Sequence, residues 1–176
     1  MKQEKLISSK TVFEGRAVKV KVDTIEKASG VVTTRDIVWH ADCIAVVALD
    51  ENGNVLMERQ FRTAVGKVLL EIPAGGIEEG ESPEDAVRRE LQEEIGYLPG
   101  KVTGLGGFYA APGYCTEYLH LFVATDLKAS KLVAEDTDEI ELVRVPVEEI
   151  KGLLEDGEIC DSKSVAGLLR FLTLRD

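Results

Sequence analysis

A chain of 176 residues with 44% hydrophobic and 30% charged residues has the make-up of one ordinary globular domain, long enough to bury about 70% of its unfolded surface. Its formal charge of −11 argues against nucleic acid or an anionic membrane as the main partner, while bound metal ions could still reverse the sign locally for a phosphorylated substrate. No run reaches the roughly 18 apolar residues that cross a bilayer, and Met1-Lys2-Gln3-Glu4-Lys5 leads into no signal-peptide core, so the expected compartment is the cytoplasm.

In chain order, Thr11–Ile25 alternates β-branched and charged residues in part and predicts a strand; Gly30 marks a turn, and Val31–Trp39 a second strand. Cys43–Leu49 (CIAVVAL) is almost wholly apolar, as in a buried central strand. Asp50 to Asn54 carries Asn-Gly turn chemistry, with Val55–Phe61 returning as its hairpin partner and Val68–Ile72 following as a strand that ends at Pro73. The period then changes. Ser82 is the expected N-cap, Pro83 the first helical residue, and Glu84 and Asp85 suit the first turn; the helix runs to Ile95, where Gly96 stops it. Strands resume at Val102–Tyr109, Tyr118–Thr125 and Ile140–Pro146, and helices at Val147–Glu155 and Ser162–Leu174 complete the chain. These elements predict a mixed α/β (α+β) fold around a sheet, with a strand-rich lobe over residues 1–40 and the main domain over 41–176.

Glu90, Glu93 and Glu94 hold the chemistry. At about 100° per residue they share one arc of the helix, beside the apolar arc of Val87, Leu91 and Ile95. Carboxylates so close repel, and Glu93 and Glu94 sit near the negative end of the helix dipole. A hard divalent cation, Mg²⁺ or Mn²⁺, relieves that repulsion by taking carboxylate oxygens. The preceding loop, Gly75-Gly76-Ile77-Glu78-Glu79-Gly80-Glu81, adds further acids on a backbone that glycine keeps open to close approach. Composition alone also fits a solvated acidic face.

Spacing narrows the choice. Gly75, Glu81, Arg89-Glu90-Leu91, Glu93-Glu94 and Gly96-Tyr97 fall at the positions of G-x5-E-x7-R-E-U-x-E-E-x-G-U, where U is bulky and apolar. This resembles the signature of the Nudix hydrolases, and only Tyr97 departs from it, the last U being usually aliphatic. The resemblance implies a Nudix-like mixed sheet sandwiched by helices, and hydrolysis of a nucleoside diphosphate linked to another group. It implies two or three Mg²⁺ or Mn²⁺ ions per site held by Glu90 and Glu94, with Glu93 as a further ligand or water-orienting group. Arg89 would hold the carboxylates in place, and the Ala74 carbonyl would be an additional ligand.

The flanks refine the likeness. Arg59-Gln60-Phe61-Arg62, Leu70-Glu71-Ile72-Pro73-Ala74-Gly75, and Pro112 at 16 positions beyond Gly96 look like the ADP-ribose pyrophosphatase branch. The reaction so implied is ADP-ribose plus water giving AMP and ribose 5-phosphate. Other nucleoside diphosphate sugars are the near alternative; a non-catalytic ADP-ribose sensor and a hydrolase of oxidised nucleoside triphosphates stand further off. By the same likeness Arg62 and Arg35 would meet phosphates or the terminal ribose, as bidentate guanidinium donors suit. The general base would come from the acidic loop Glu135 to Glu139, with Glu139 the first choice and Glu135 the second. Homodimerisation through the N-terminal strands is a further implication.

Other residues read as structural. Phe13, Trp39 and Tyr114 could stack on adenine but fit core or interface better, and neither His40 nor His120 has a partner spacing for zinc or a triad. Cys43, Cys115 and Cys160, odd in number and widely spaced, read as reduced, mostly buried thiols.

Overall fold

The computed structural model describes residues 3–133 and 139–175. Its contacts divide into two units, one of Met1–Asp42 with Tyr109–Tyr118 and one of Cys43–Phe108 with Leu119–Asp176.

The first unit is an antiparallel sheet of β1 (Lys5–Glu14), β2 (Lys19–Glu26) and β3 (Val32–Trp39), in that order. The single strand expected over Thr11–Ile25 is thus two strands, broken where the Gly15 amide donates to the Val18 carbonyl at 2.9 Å. Alternation carries through a tight turn of only a few residues, so the pattern alone could not see the break. Residues 109–118 attach to β3, with the Val38 amide donating to the Tyr114 carbonyl at 2.7 Å and the Thr116 amide to the Val38 carbonyl at 3.0 Å. Every residue of β1 is exposed, Phe13 included, and Trp39 and Tyr114 are exposed too. None of these aromatics is core, because a three-stranded sheet has no second layer within its own unit to cover it.

The second unit is built on a mixed sheet. Its strands are β4 (Cys43–Leu49), β5 (Asn54–Arg62), β6 (Lys67–Glu71), β7 (Ala74–Gly76), β8 (Tyr97–Tyr109), β9 (Tyr118–Ala129) and β10 (Glu141–Pro146). The main path runs β10-β5-β4-β9-β8, with β6 beside β5 and β7 beside β4. β4 and β9 are parallel, while β5 runs antiparallel to β4, β6 and β10.

Helices cover both faces. Ile44, Val46 and Ala48 pack with Ala86 and Val87 of the helix that begins at Pro83 and with Leu91 just beyond its end. A second helix, α3 (Ser162–Arg175), lays Gly167 over Val47, Ile72 and Leu121. Neighbouring residues of β4 therefore meet opposite helices, which is why Cys43 through Ala48 are all buried and the run is apolar without alternation. Between them in sequence lies the short α2 (Val147–Glu155). The mixed sheet between helices agrees with the fold class the sequence predicts. Among the cysteines only Cys43 is buried; Cys115 is half-buried and Cys160 exposed, so the expectation of mostly buried thiols fails for Cys160.

Candidate active site

The acidic segment is a strand, a loop and a helix that brace one another. β7 pairs antiparallel with β4, Ala74 opposite Ala45 and Gly76 opposite Cys43. Ser82 caps the helix α1 (Pro83–Glu90): its Oγ accepts from the Asp85 amide at 3.2 Å and donates to Asp85 Oδ2 at 2.7 Å. After Glu90 the backbone widens into a π turn over Leu91–Ile95, closed by the Gly96 amide donating to the Leu91 carbonyl. Gly96 has φ 78°, a left-handed value that costs glycine nothing. An α-helix continuous to Ile95 was expected; the π turn keeps Leu91 and Ile95 both buried, so the apolar pattern could not tell the two apart.

Arg89 is the hub of this segment. It donates from Nε to Glu81 Oε1 at 2.9 Å, and from Nη1 to Glu90 Oε1 at 2.7 Å and Glu93 Oε2 at 3.2 Å. Nη2 reaches Glu81 Oε2 at 3.0 Å and the Gly76 carbonyl at 2.8 Å. One guanidinium thus binds three carboxylates and the glycine loop. Glu81 accepts two of these bonds, and they hold its carboxyl below the usual range. Arg89 itself is held more firmly charged than a free arginine, chiefly by its bonds to Glu81.

Glu90 and Glu94 sit deeper. Burial raises the Glu90 carboxyl, and its bond to Arg89 only partly offsets that. Beside it the Gly75 backbone passes so close that a Cβ there would overlap the Glu90 carboxylate. Glu94 accepts the Ala74 amide at 3.1 Å through Oε2 and hydrogen-bonds Glu58 of β5. Burial, then the neighbouring Glu58 and Glu90 charges, push the Glu94 carboxyl well up.

Glu58 is 1% exposed, faces Glu71 directly across the β5–β6 ladder, and has one oxygen, Oε1, without a hydrogen-bond partner among the described residues. Burial pushes its carboxyl up to about 7. Arg62 and Lys163 answer the charge of Glu71, which is itself 2% exposed. Burial works against the Arg62 cation, but its bonds to Glu71 outweigh that and raise it.

The donors here fit a hard divalent cation: all are carboxylate oxygens, several are buried, and their charge outnumbers Arg89. Glu90 and Glu93 turn to Arg89, while Glu94 turns to the Ala74 amide and Glu58 and still feels the Glu90 charge.

A pH dependence of stability follows from Glu58. Its folded value lies above the unfolded one, so the stability it contributes is full below about pH 4.5 and lost as pH rises through about 7. The loss is on the order of 3 kcal/mol, shared with Glu94 because the two titrate together. Thermal melts in EDTA from pH 5 to 8 are expected to fall with rising pH, and Glu58→Gln to flatten the fall. A wild-type profile as flat as the variant's would refute this.

The Nudix-domain family model matches residues 39–168. The chain belongs to the Nudix family. It is 36% identical to the ADP-ribose pyrophosphatase of Bacillus subtilis (strain 168), over 99% of this chain and 95% of that one. It is 35% identical to the methanol dehydrogenase activator of Bacillus methanolicus over the same shares of each chain. The crystal structure of an ADP compounds hydrolase superposes with TM-score 0.91 at 23% identity, covering 99% of this chain and 95% of that one, and shows the shared fold.

The structure ties Arg89 to Glu90 and Glu93, and ties Glu94 to the amide of Ala74, the residue just before the Nudix box. Arg62 stands outside the box on β5, bound to Glu71, which the Glu58–Glu94 contact adjoins. Arg35 and Pro112 belong to the first unit: Arg35 donates to Glu4 at 2.7 Å, and Pro112 opens a turn closed by the Tyr114 amide and the Ala111 carbonyl at 3.1 Å. Glu139 is exposed, just before β10, and Glu135 lies outside the described residues. Glu58, Glu71 and Lys163 escaped the sequence reading as site residues. For Glu58 and Glu71 the one signal is a lone glutamate ending each of two apolar runs, Val55-Leu56-Met57-Glu58 and Leu69-Leu70-Glu71; Lys163 gives none.

Proposed function

We propose that this Nudix enzyme hydrolyses the pyrophosphate of ADP-ribose to AMP and ribose 5-phosphate in the cytoplasm, using two or three Mg²⁺ or Mn²⁺ ions. The observation that carries the reading is full-length similarity to an ADP-ribose pyrophosphatase joined to a complete set of box carboxylates. In this reading Glu90 and Glu94 hold the cations with Glu93 and the Ala74 carbonyl. Bound there, a divalent cation neutralises phosphoanhydride oxygens and makes an attacking water more acidic. Arg89 keeps Glu90 and Glu93 in position, a role its bonds support. Arg62 and Arg35 take the substrate's phosphates or terminal ribose, and Glu139, with Glu135 as the second choice, removes the water proton.

Homodimerisation is part of the same reading. Leu6, Ile7, Val12 and Phe13 are each more than half exposed on β1, an apolar surface of the kind that a second copy covers. A monomeric mass in light scattering would remove this part alone.

The test is incubation with ADP-ribose and Mg²⁺, with and without EDTA, and separation of the nucleotide products. AMP formed only with metal is expected. Cleavage of another nucleoside diphosphate sugar but not ADP-ribose would keep the chemistry and change the substrate. Tight binding without turnover would replace the enzyme by a sensor.

A further inference from the structure

Lys163 reaches the end of β6 from the first turn of α3, 92 positions beyond the residue it binds. Its Nζ donates to Glu71 Oε2 at 2.6 Å and to Asp161 Oδ1 at 2.9 Å. Arg62 uses the same carboxylate, with Nε at 3.0 Å and Nη2 at 2.5 Å from Oε2 and Nε at 3.3 Å from Oε1. The Glu71 side chain is 3% exposed and Lys163 15%, whereas Arg62 keeps 39% of its side chain open to solvent. The buried end of this chain of charges is therefore fixed and its outer end is accessible.

The helix that delivers Lys163 is tied down at the same place. Asp161 Oδ1 also accepts the Ser164 amide at 3.1 Å, capping α3. The fully buried Ser164 in turn accepts the Ile72 amide through its Oγ at 2.9 Å. Glu71, the last residue of β6, and Ile72, just beyond it, are thus held by two successive residues of α3.

We propose that Lys163 is a positioning residue for Arg62: by pinning the buried Glu71 carboxylate it fixes the guanidinium that receives the substrate's phosphate oxygens. This rests on the reading of Arg62 as a phosphate ligand. Glu71 has too little solvent around it to be oriented by water, so its two cations set its direction. A carboxylate free to turn carries Arg62 with it, and a bidentate donor out of line with its anion loses most of its advantage over a point charge.

The experiment compares wild type, Lys163→Met, Lys163→Arg, Arg62→Met and the double variant in Lys163→Met and Arg62→Met, with ADP-ribose as substrate. KM, kcat, melting temperature and Mn²⁺ affinity without substrate are measured. Lys163→Met is expected to raise KM about tenfold with kcat within about threefold, the size of a charge-assisted bond lost in binding. Mn²⁺ affinity is expected to stay unchanged, because the box ligands do not touch Lys163. Lys163→Arg should restore KM in large part, and the double variant should be no worse than Arg62→Met alone, since both act through one group.

A lower melting temperature with unchanged KM would overturn the proposal and leave Lys163 as a neutraliser of Glu71. Full additivity of the two substitutions would overturn it as well. An unchanged KM in Arg62→Met would locate the failure in the reading of Arg62, and the proposal would fall with it. Should Lys163→Met not fold, Lys163→Gln, which keeps an amide donor for Glu71, carries the same KM comparison.

Discussion

Glu94→Gln is expected to lower turnover of ADP-ribose by about 10²–10³-fold and to leave the protein folded. The glutamine still accepts the Ala74 amide through its carbonyl and still meets Glu58, so the backbone of β7 keeps its partner. What it loses is the negative charge next to Glu90, and an amide oxygen is a far poorer partner for a hard cation. Stability should move in the opposite direction. The Glu94 carboxyl is raised in the fold, so the stability it contributes is present below its ordinary value and lost as pH rises through the folded one. At pH 8 in EDTA the variant is therefore expected to melt at or above the wild-type temperature. Turnover near wild type would refute the assignment of Glu94 to the cations; a collapsed circular-dichroism spectrum would show that the carboxylate served folding.

Gly75→Ala is expected to separate activity from stability in a second way. The added methyl would occupy the place of the Glu90 carboxylate, so that side chain has to move. A side-chain end moves at little cost to the fold, and we expect a loss of only about 1–2 kcal/mol. The same displacement pulls Glu90 out of line with Arg89 and its neighbours, and a shift near 1 Å at a reacting site costs about 10²-fold in turnover. Steady-state kinetics beside a thermal melt decides the matter. Equal, small changes in both would mean that Glu90 finds a second productive position, and the close fit of Gly75 would lose its functional meaning.

How much could be read beforehand depended on how far each interaction reaches along the chain. The run Cys43–Leu49, the Asn-Gly hairpin, the Ser82-Pro83 start of α1 and the Gly96 stop are all local, and each was legible. The spacing of the box carried the family, and it set Arg89 beside Glu90 and Glu93, which the guanidinium binds. Features that leave the apolar pattern unchanged were not legible: the turn at Gly15–Val18, the three-residue β7, and the π turn. Glu58 and Glu71 were passed over for a different reason. A strand residue shows its parity but not its neighbour, and the cation that makes Glu71 tolerable lies 92 residues away. Exposure of Phe13, Trp39 and Tyr114 likewise depends on what layers exist, which residue type cannot tell.

The facing pair of Glu58 and Glu71 bears on the order in which the molecule is completed. Strands β5 and β6 are joined by a short connection and can zip early, but doing so sets two carboxylates opposite each other at the centre of a future interior. Arg62, on the same hairpin, can answer that charge at once. Lys163 arrives only with the most C-terminal helix. On a ribosome the hairpin would therefore exist for some time with half of its counter-charge still unsynthesised, and the docking of α3 would be the event that allows water to leave. Helix α3 is in that sense a latch on a hairpin made well before it.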